Sequence, residues 1–231
     1  MIRIENVEVV GWDAAIRGMR NPMNSWDKSD SEYNVNCDVC NNPYYECENC
    51  PTTDCLIGPN DYKLMMKLRN AGTDHRKFMR MITVYVDITA PLYWLAEADT
   101  YKVGTVRNSC SKMHKIHDKE FTISDFSCEH MKDYIIDELN RIIILLNGLR
   151  ADYLSTKDKS YWYSMIQLLP ESYNQRSTLM LNYEVLANIY HARKNHKLDC
   201  WRTFCKWIET LPYSEIITGA KDENRKDDNN E

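Results

Sequence analysis

The chain has 231 residues, of which 43% are hydrophobic and 27% charged, enough apolar material for one substantial core or a core with a small appendage. Its 29 basic and 34 acidic residues leave a formal charge of -5, so no global field draws it to nucleic acid or to an anionic membrane. Any anionic ligand must be held by a local group of cations. The longest apolar run, Ile142 to Leu146, is far too short to span a bilayer. The first ten residues alternate like a strand and carry no export signal, so the reading is an intracellular, cytoplasmic chain that binds neither membrane nor nucleic acid.

In chain order, Ile2, Ile4, Val7 and Val9 nearly alternate, which predicts a half-buried strand over 2–10. Residues 20–58 hold few aliphatic side chains and many Asn, Asp, Ser, Pro and Cys, and read as a loop-rich insertion. Asn60 is placed to cap a helix running from Asp61 to Leu68 and ended by Gly72. Met81 to Ile88 is rich in β-formers and reads as a strand. Over 131–154, Ile135, Leu139, Ile142, Ile143, Leu146 and Leu149 fall on one helical face. Residues 183–193 and 199–210 read as two more helices, and the charged tail 221–231 as disordered. Helices and strands interleave without a βαβ rhythm, so the class is mixed α/β (α+β), one domain over 1–220 with the cysteine-rich insertion at about 30–58.

Within that insertion, Cys37-x2-Cys40 and Cys47-x2-Cys50 form two knuckles, each able to grip one tetrahedral zinc ion through two thiolates, with Cys55 as a substitute ligand. A structural zinc would supply folding energy that the surrounding Asn, Pro and Tyr residues do not. Residues 34–57 contain no Lys or Arg, which argues against a nucleic-acid knuckle.

The segment Asp99 to Lys115 places Gly104 at a turn and then Asn108, Ser109, Cys110, Ser111 and Lys112 in close succession. Short polar side chains beside an ammonium can hold a phosphate. This segment resembles the signature R-H-R-x-x-S-x-N-E-x-S-x-R-Y of flavin-dependent thymidylate synthases. Laid on it without gaps, Thr100, Tyr101 and Lys102 fall on the Arg-His-Arg, and Thr105 on the first Ser. Arg107 and Asn108 fall on the Asn-Glu, Cys110 on the second Ser, Lys112 on the next Arg and Met113 on the Tyr. No position is identical, but Lys102, Thr105, Cys110 and Lys112 are chemically close. The flanks match in spacing: His75, the strand and Ala90-Pro91 upstream; Leu169-Pro170, Asn182, Asn188, Arg193 and Trp201 downstream; Ala14-Ala15-Ile16-Arg17 near the start.

The resemblance implies a homotetramer that holds FAD between subunits and methylates dUMP to dTMP with methylenetetrahydrofolate and reduced nicotinamide (NADPH). It assigns His75, Thr100, Tyr101, Lys102, Asn108 and Asn188 to the flavin. Glu97, Cys110, Ser111 and Lys112 fall to the nucleotide, and Arg193 to its pyrimidine ring. Arg193 and Tyr101 are the expected catalytic positions. The departures are specific. Thr100 and Tyr101 replace an Arg and a His, Glu97 replaces a Gln, and Ile166 stands where a phosphate-binding Arg would be, with Lys115, Arg107 and Arg176 as candidate substitutes. A noncatalytic relative that keeps the fold, or an enzyme transferring a hydroxymethyl group to a pyrimidine nucleotide, is the alternative.

Overall fold

The computed structural model describes residues 2–33 and 55–219. In chain order these form strand β1 (Arg3–Val10), helix α1 (Trp12–Arg20), two short 3-10 turns, and strands β2 (Glu32–Tyr33) and β3 (Cys55–Leu56). Helix α2 (Pro59–Asn70), strand β4 (Thr83–Pro91), helix α3 (Leu92–Ala98), strand β5 (Val106–Ser109) and the single turn α4 (Lys112–Lys115) follow. The chain continues through α5 (Asp133–Thr156), α6 (Lys159–Leu168), β6 (Asn174–Asn182), α7 (Tyr183–Arg193), α8 (Asp199–Ile208) and α9 (Glu215–Thr218). Four strands form one sheet in the order β1-β4-β6-β5, and β2 pairs antiparallel with β3. The class is mixed α/β, as read from the sequence. Among the described residues no helix is long and apolar enough to cross a membrane.

The chain divides into two compact units. Unit 1 comprises Met1–Glu5, Asp87–Lys102 and Arg107–Leu179; unit 2 comprises Asn6–Val86, Val103–Val106 and Met180–Glu231, each as far as it is described. In unit 1, α5 and α6 pack as a helical pair, and Leu139, Ile143, Leu146 and Met165 close over Phe121 and Phe126. Apolar residues recurring three and four apart on α5 make this stripe. Ile135, expected on it, is more than one-third exposed, because it lies in the first turn, before the stripe meets its partners.

In unit 2, α7 carries a nearly continuous buried face from Tyr183 to Ala187 and packs on α8 and α9. Trp12 meets the Tyr183 ring edge-on at 5.3 Å, a favoured aromatic geometry. Gly11, which precedes α1, has φ 96°, and a Cβ there would strike the Met81 carbonyl, so only glycine fits.

Several boundaries differ from the sequence reading. Helix α2 begins at Pro59, and Asn60 is not its cap; the Asp30 carboxylate accepts the Asn60 and Asp61 N–H groups at 2.9 and 3.1 Å. Strand β4 starts two residues later than expected and runs on to Pro91, where the Leu92 N–H donates to the Tyr173 carbonyl at 3.0 Å. Helix α8 ends at Ile208 rather than at residue 210. Cys37, Cys40, Cys47 and Cys50 lie outside the described residues, as do the tail residues 221–231. Among the described residues no group of three or more His, Cys, Asp or Glu side chains is arranged to hold a metal ion, and Cys55 is buried in β3.

Candidate functional site

Unit 1 contains a cavity of about 900 Å³, lined by Cys110, Ser111 and Lys112 together with residues of β1, β4 and β6. Strand β5 delivers the first three. The Cys110 N–H donates to the Arg176 carbonyl at 2.9 Å, continuing the pairing with β6. Ser111 then caps α4, its hydroxyl oxygen accepting the His114 N–H at 3.1 Å. That bond leaves the Ser111 O–H free to donate.

Five cations line this cavity, and four are paired. Lys115 meets Asp118 at 2.8 Å, Lys119 meets Asp125 at 2.5 Å, Arg176 meets Asp87 at 2.8 Å, and Arg3 meets Glu5 at 3.0 Å. The hydrogen bond it donates to Asp118 holds the Lys115 ammonium above the ordinary lysine range, and the bond to Asp125 does the same for Lys119. Lys112 alone has no carboxylate partner among the described residues. A half-buried ammonium without a counter-ion beside a free hydroxyl donor is suited to an anion. Tyr173, also on the wall, is pushed up by burial and by the Asp125 charge, so it stays a neutral phenol.

The proposed substitutes for the missing arginine sort differently. Lys115 and Arg176 reach the cavity wall, each already paired. Arg107 does not line it: one edge of its guanidinium, Nε and Nη2, donates to Asp99 at 2.8 and 2.6 Å, and Nη1 donates to the Ser177 hydroxyl. Ile166 packs against the α5–α6 core.

The flavin candidates of unit 1 are not on the cavity wall, and neither is Glu97. The Thr100 hydroxyl donates to the Glu97 carbonyl at 2.7 Å, and Tyr101 N–H bonds the Ala98 carbonyl, so both finish the turn after α3. Lys102 and Asn108 are exposed. In unit 2, His75 is exposed in the turn after α2, its N–H on the Gly72 carbonyl. Asn182 caps α7 by accepting the Val185 N–H at 3.0 Å, as expected of an asparagine starting a helix. Asn188 is exposed on α7, and its side-chain oxygen accepts from Arg76 at 3.1 Å. A guanidinium only donates, so the Asn188 NH₂ is turned outward as a donor. Arg193 stacks over Trp201, its guanidinium carbon 4.8 Å from the ring centre.

Two polar clusters of unit 2 escaped the sequence reading. Glu184 is buried and bridged by Arg76 and Arg80. Arg20 and Asp61, almost wholly buried, meet at 2.6 Å. Arg20 also donates to the Ser25 and Lys28 carbonyls, and Asp61 accepts from the Ser29 and Ser31 hydroxyls at 2.7 Å each. Burial alone would raise the Asp61 carboxyl, but bonds from Ser31, Ser29 and Arg20 outweigh it and hold the group below the usual carboxylate range. Each guanidinium nitrogen of Arg20 and each carboxylate oxygen of Asp61 has a protein partner, so the pair is structural.

For a flavin dinucleotide, the assigned residues are of the right kind: an exposed ammonium at Lys102, an outward NH₂ at Asn188 and an exposed amide at Asn108. Lys102 and Asn108 do not line the cavity of unit 1 described above.

No protein-family model and no curated protein matches the sequence. Solved structures do match in fold. A crystal structure of the flavin-dependent thymidylate synthase ThyX from Helicobacter pylori, complexed with FAD and dUMP, superposes with a TM-score of 0.62 at 15% identity, covering 92% of this chain and 96% of that one. A second structure of Thymidylate Synthase X from the same organism, with FAD and dUMP, gives 0.63 at 14% identity over 94% and 96%. Nearly the whole of each chain is covered, and the protein has the fold of these thymidylate synthases.

Proposed function

We propose that this chain is an FAD-dependent enzyme of the thymidylate synthase type, transferring one carbon to a pyrimidine nucleoside monophosphate. In its fullest form the reaction converts dUMP to dTMP with methylenetetrahydrofolate and reduced nicotinamide. The observation that carries the reading is Lys112. It is a cation with no carboxylate partner among the described residues, beside the Ser111 hydroxyl on the wall of a large cavity, at the position the family signature gives to phosphate. The chain shares its fold with two proteins crystallised with FAD and dUMP.

In this reading Lys112 and Ser111 hold the phosphate by charge-assisted and hydroxyl hydrogen bonds, and Cys110 flanks them. Lys102, Asn108 and Asn188 hold the flavin, beside His75, Thr100 and Tyr101. Arg193 offers paired donors to a ring carbonyl and stabilises charge building there. Bound flavin supplies the hydride and electron chemistry; the protein supplies orientation and electrostatics. The exposed flavin residues call for a homotetramer, which light scattering tests. The chain works in the cytoplasm as a single domain over 1–220. Cys37, Cys40, Cys47 and Cys50 hold one structural zinc, to be found as about one zinc per chain by elemental analysis.

The test is calorimetric titration with dUMP, with and without FAD, followed by product analysis in the presence of methylenetetrahydrofolate and NADPH. Binding of both ligands and formation of dTMP are expected. A colourless protein that binds neither ligand sinks the reading. A second reading, a noncatalytic nucleotide-binding relative, is favoured by Thr100, whose hydroxyl proton is committed to the Glu97 carbonyl where the family has an arginine. Nucleotide binding without flavin binding would select it, and a hydroxymethylated product would select the hydroxymethylase.

A further inference from the structure

Gln175 lines the same cavity from β6 and is 7% exposed. Its amide nitrogen donates to the Cys110 carbonyl at 2.6 Å. A backbone carbonyl only accepts, so this bond fixes which way the amide faces: NH₂ toward Cys110, oxygen away from it. Among the described residues that oxygen has no hydrogen-bond donor. An acceptor held in one orientation on a residue of the cavity wall is available to a ligand that donates to it.

Its position sets what that donor is. Gln175 is bonded to the residue immediately before Ser111, and adjacent Cα atoms are about 3.8 Å apart. The acceptor is therefore close to the place proposed for the phosphate. On a nucleoside 5′-monophosphate the donor at that range is the sugar 3′-hydroxyl; the N–H groups of the base edge lie farther out. We infer that Gln175 is a specificity-determining residue whose amide oxygen accepts the 3′-hydroxyl of the bound nucleotide, so that the cavity takes nucleotides with a free 3′-hydroxyl and rejects those that cannot donate there. This rests on the phosphate assignment to Ser111 and Lys112.

The experiment is titration of the full chain with dUMP, its 3′-deoxy analogue and its 3′-fluoro analogue, in wild type and in Gln175→Met, with urea denaturation to check folding. Wild type is expected to bind dUMP about tenfold more tightly than either analogue, because fluorine and hydrogen cannot donate. Gln175→Met is expected to bind all three within about threefold of one another, with dUMP weakened to the level of the analogues. Equal wild-type affinity for dUMP and both analogues overturns the inference whatever the variant does, and leaves the nucleotide site standing. A folded variant that keeps the tenfold preference also overturns it. Absence of any dUMP binding removes the nucleotide site and this inference with it.

Discussion

The Arg20–Asp61 pair of unit 2 and the Ser111–Lys112 step of unit 1 are both polar and both set among helices and turns, yet their chemistry points in opposite directions. Around Arg20 and Asp61 the guanidinium has two carbonyls and the carboxylate has two hydroxyls and two backbone N–H groups. Each nitrogen and each oxygen of the pair already has a protein partner. At Ser111–Lys112 the hydroxyl proton and the ammonium have no acceptor among the described residues, although four neighbouring cations on the same wall are neutralised. Satisfied polarity builds the fold, and unsatisfied polarity at a cavity wall is kept for something that arrives later.

The largest effect expected from this contrast is on stability. Arg20→Ala or Asp61→Ala strands a buried charge and should cost about 3–5 kcal/mol in urea denaturation. The double variant should cost less than the sum, because no lone charge remains. A loss under about 1 kcal/mol for either single change would break the structural assignment of this pair.

Acid titration sharpens the same point. Asp61 has a folded-state pKa below the ordinary carboxylate value of about 3.9. A depressed pKa contributes stability that is present above the unfolded value and lost as pH falls through the folded one. Wild type should therefore lose stability below about pH 4, and Asp61→Asn should show a flatter acid limb. Identical slopes would show that other carboxylates govern the acid response.

How much of this was legible in the sequence follows from where the partners lie. Helix α7 and strand β1 were readable, because Tyr183–Arg193 and Arg3–Val10 carry their own periodicity and Asn182 caps locally. Strand β6 was not: its inward side chains are Gln175, Ser177, Leu179 and Leu181, and two of the four are polar, so apolar alternation is hidden. The start of α2 was misplaced because its donors are met by Asp30, about thirty positions earlier in the chain. The site shows the same split. Cys110, Ser111 and Lys112 could be found as a local run, whereas Gln175 and Arg176 join them only through the pairing of β5 with β6. Buried polar side chains on a strand beside a phosphate-like run are the one signal that would have pointed to Gln175.

On the ligand side, Lys112→Ala should weaken dUMP binding about tenfold or more, the range of one charge-assisted bond, while shifting stability by less than about 0.5 kcal/mol. This inverts the Arg20–Asp61 pattern: a large effect on binding and a small one on folding. A variant that unfolds readily, or that binds dUMP as wild type does, would erase the distinction between the two regions.

The smallest expected effect is the most discriminating, because its sign is unusual. Asp118 neutralises Lys115 on the cavity wall across 2.8 Å, and both side chains are well exposed. If the paired carboxylates are spectators, then Asp118→Asn keeps a hydrogen-bonding group of the same size while releasing one positive charge toward the ligand. Affinity for dUMP should then rise by roughly two- to fivefold, the range of an exposed charge contact. The gain should shrink as salt is raised, since the Debye length falls from about 10 Å at 0.1 M to about 3 Å at 1 M. Lys115→Gln in the same assay should lower affinity by a similar factor, because it leaves the Asp118 carboxylate uncompensated on the wall. A loss of affinity in Asp118→Asn would mean that this carboxylate itself meets the nucleotide, and the division between occupied and available groups on the wall would have to be redrawn.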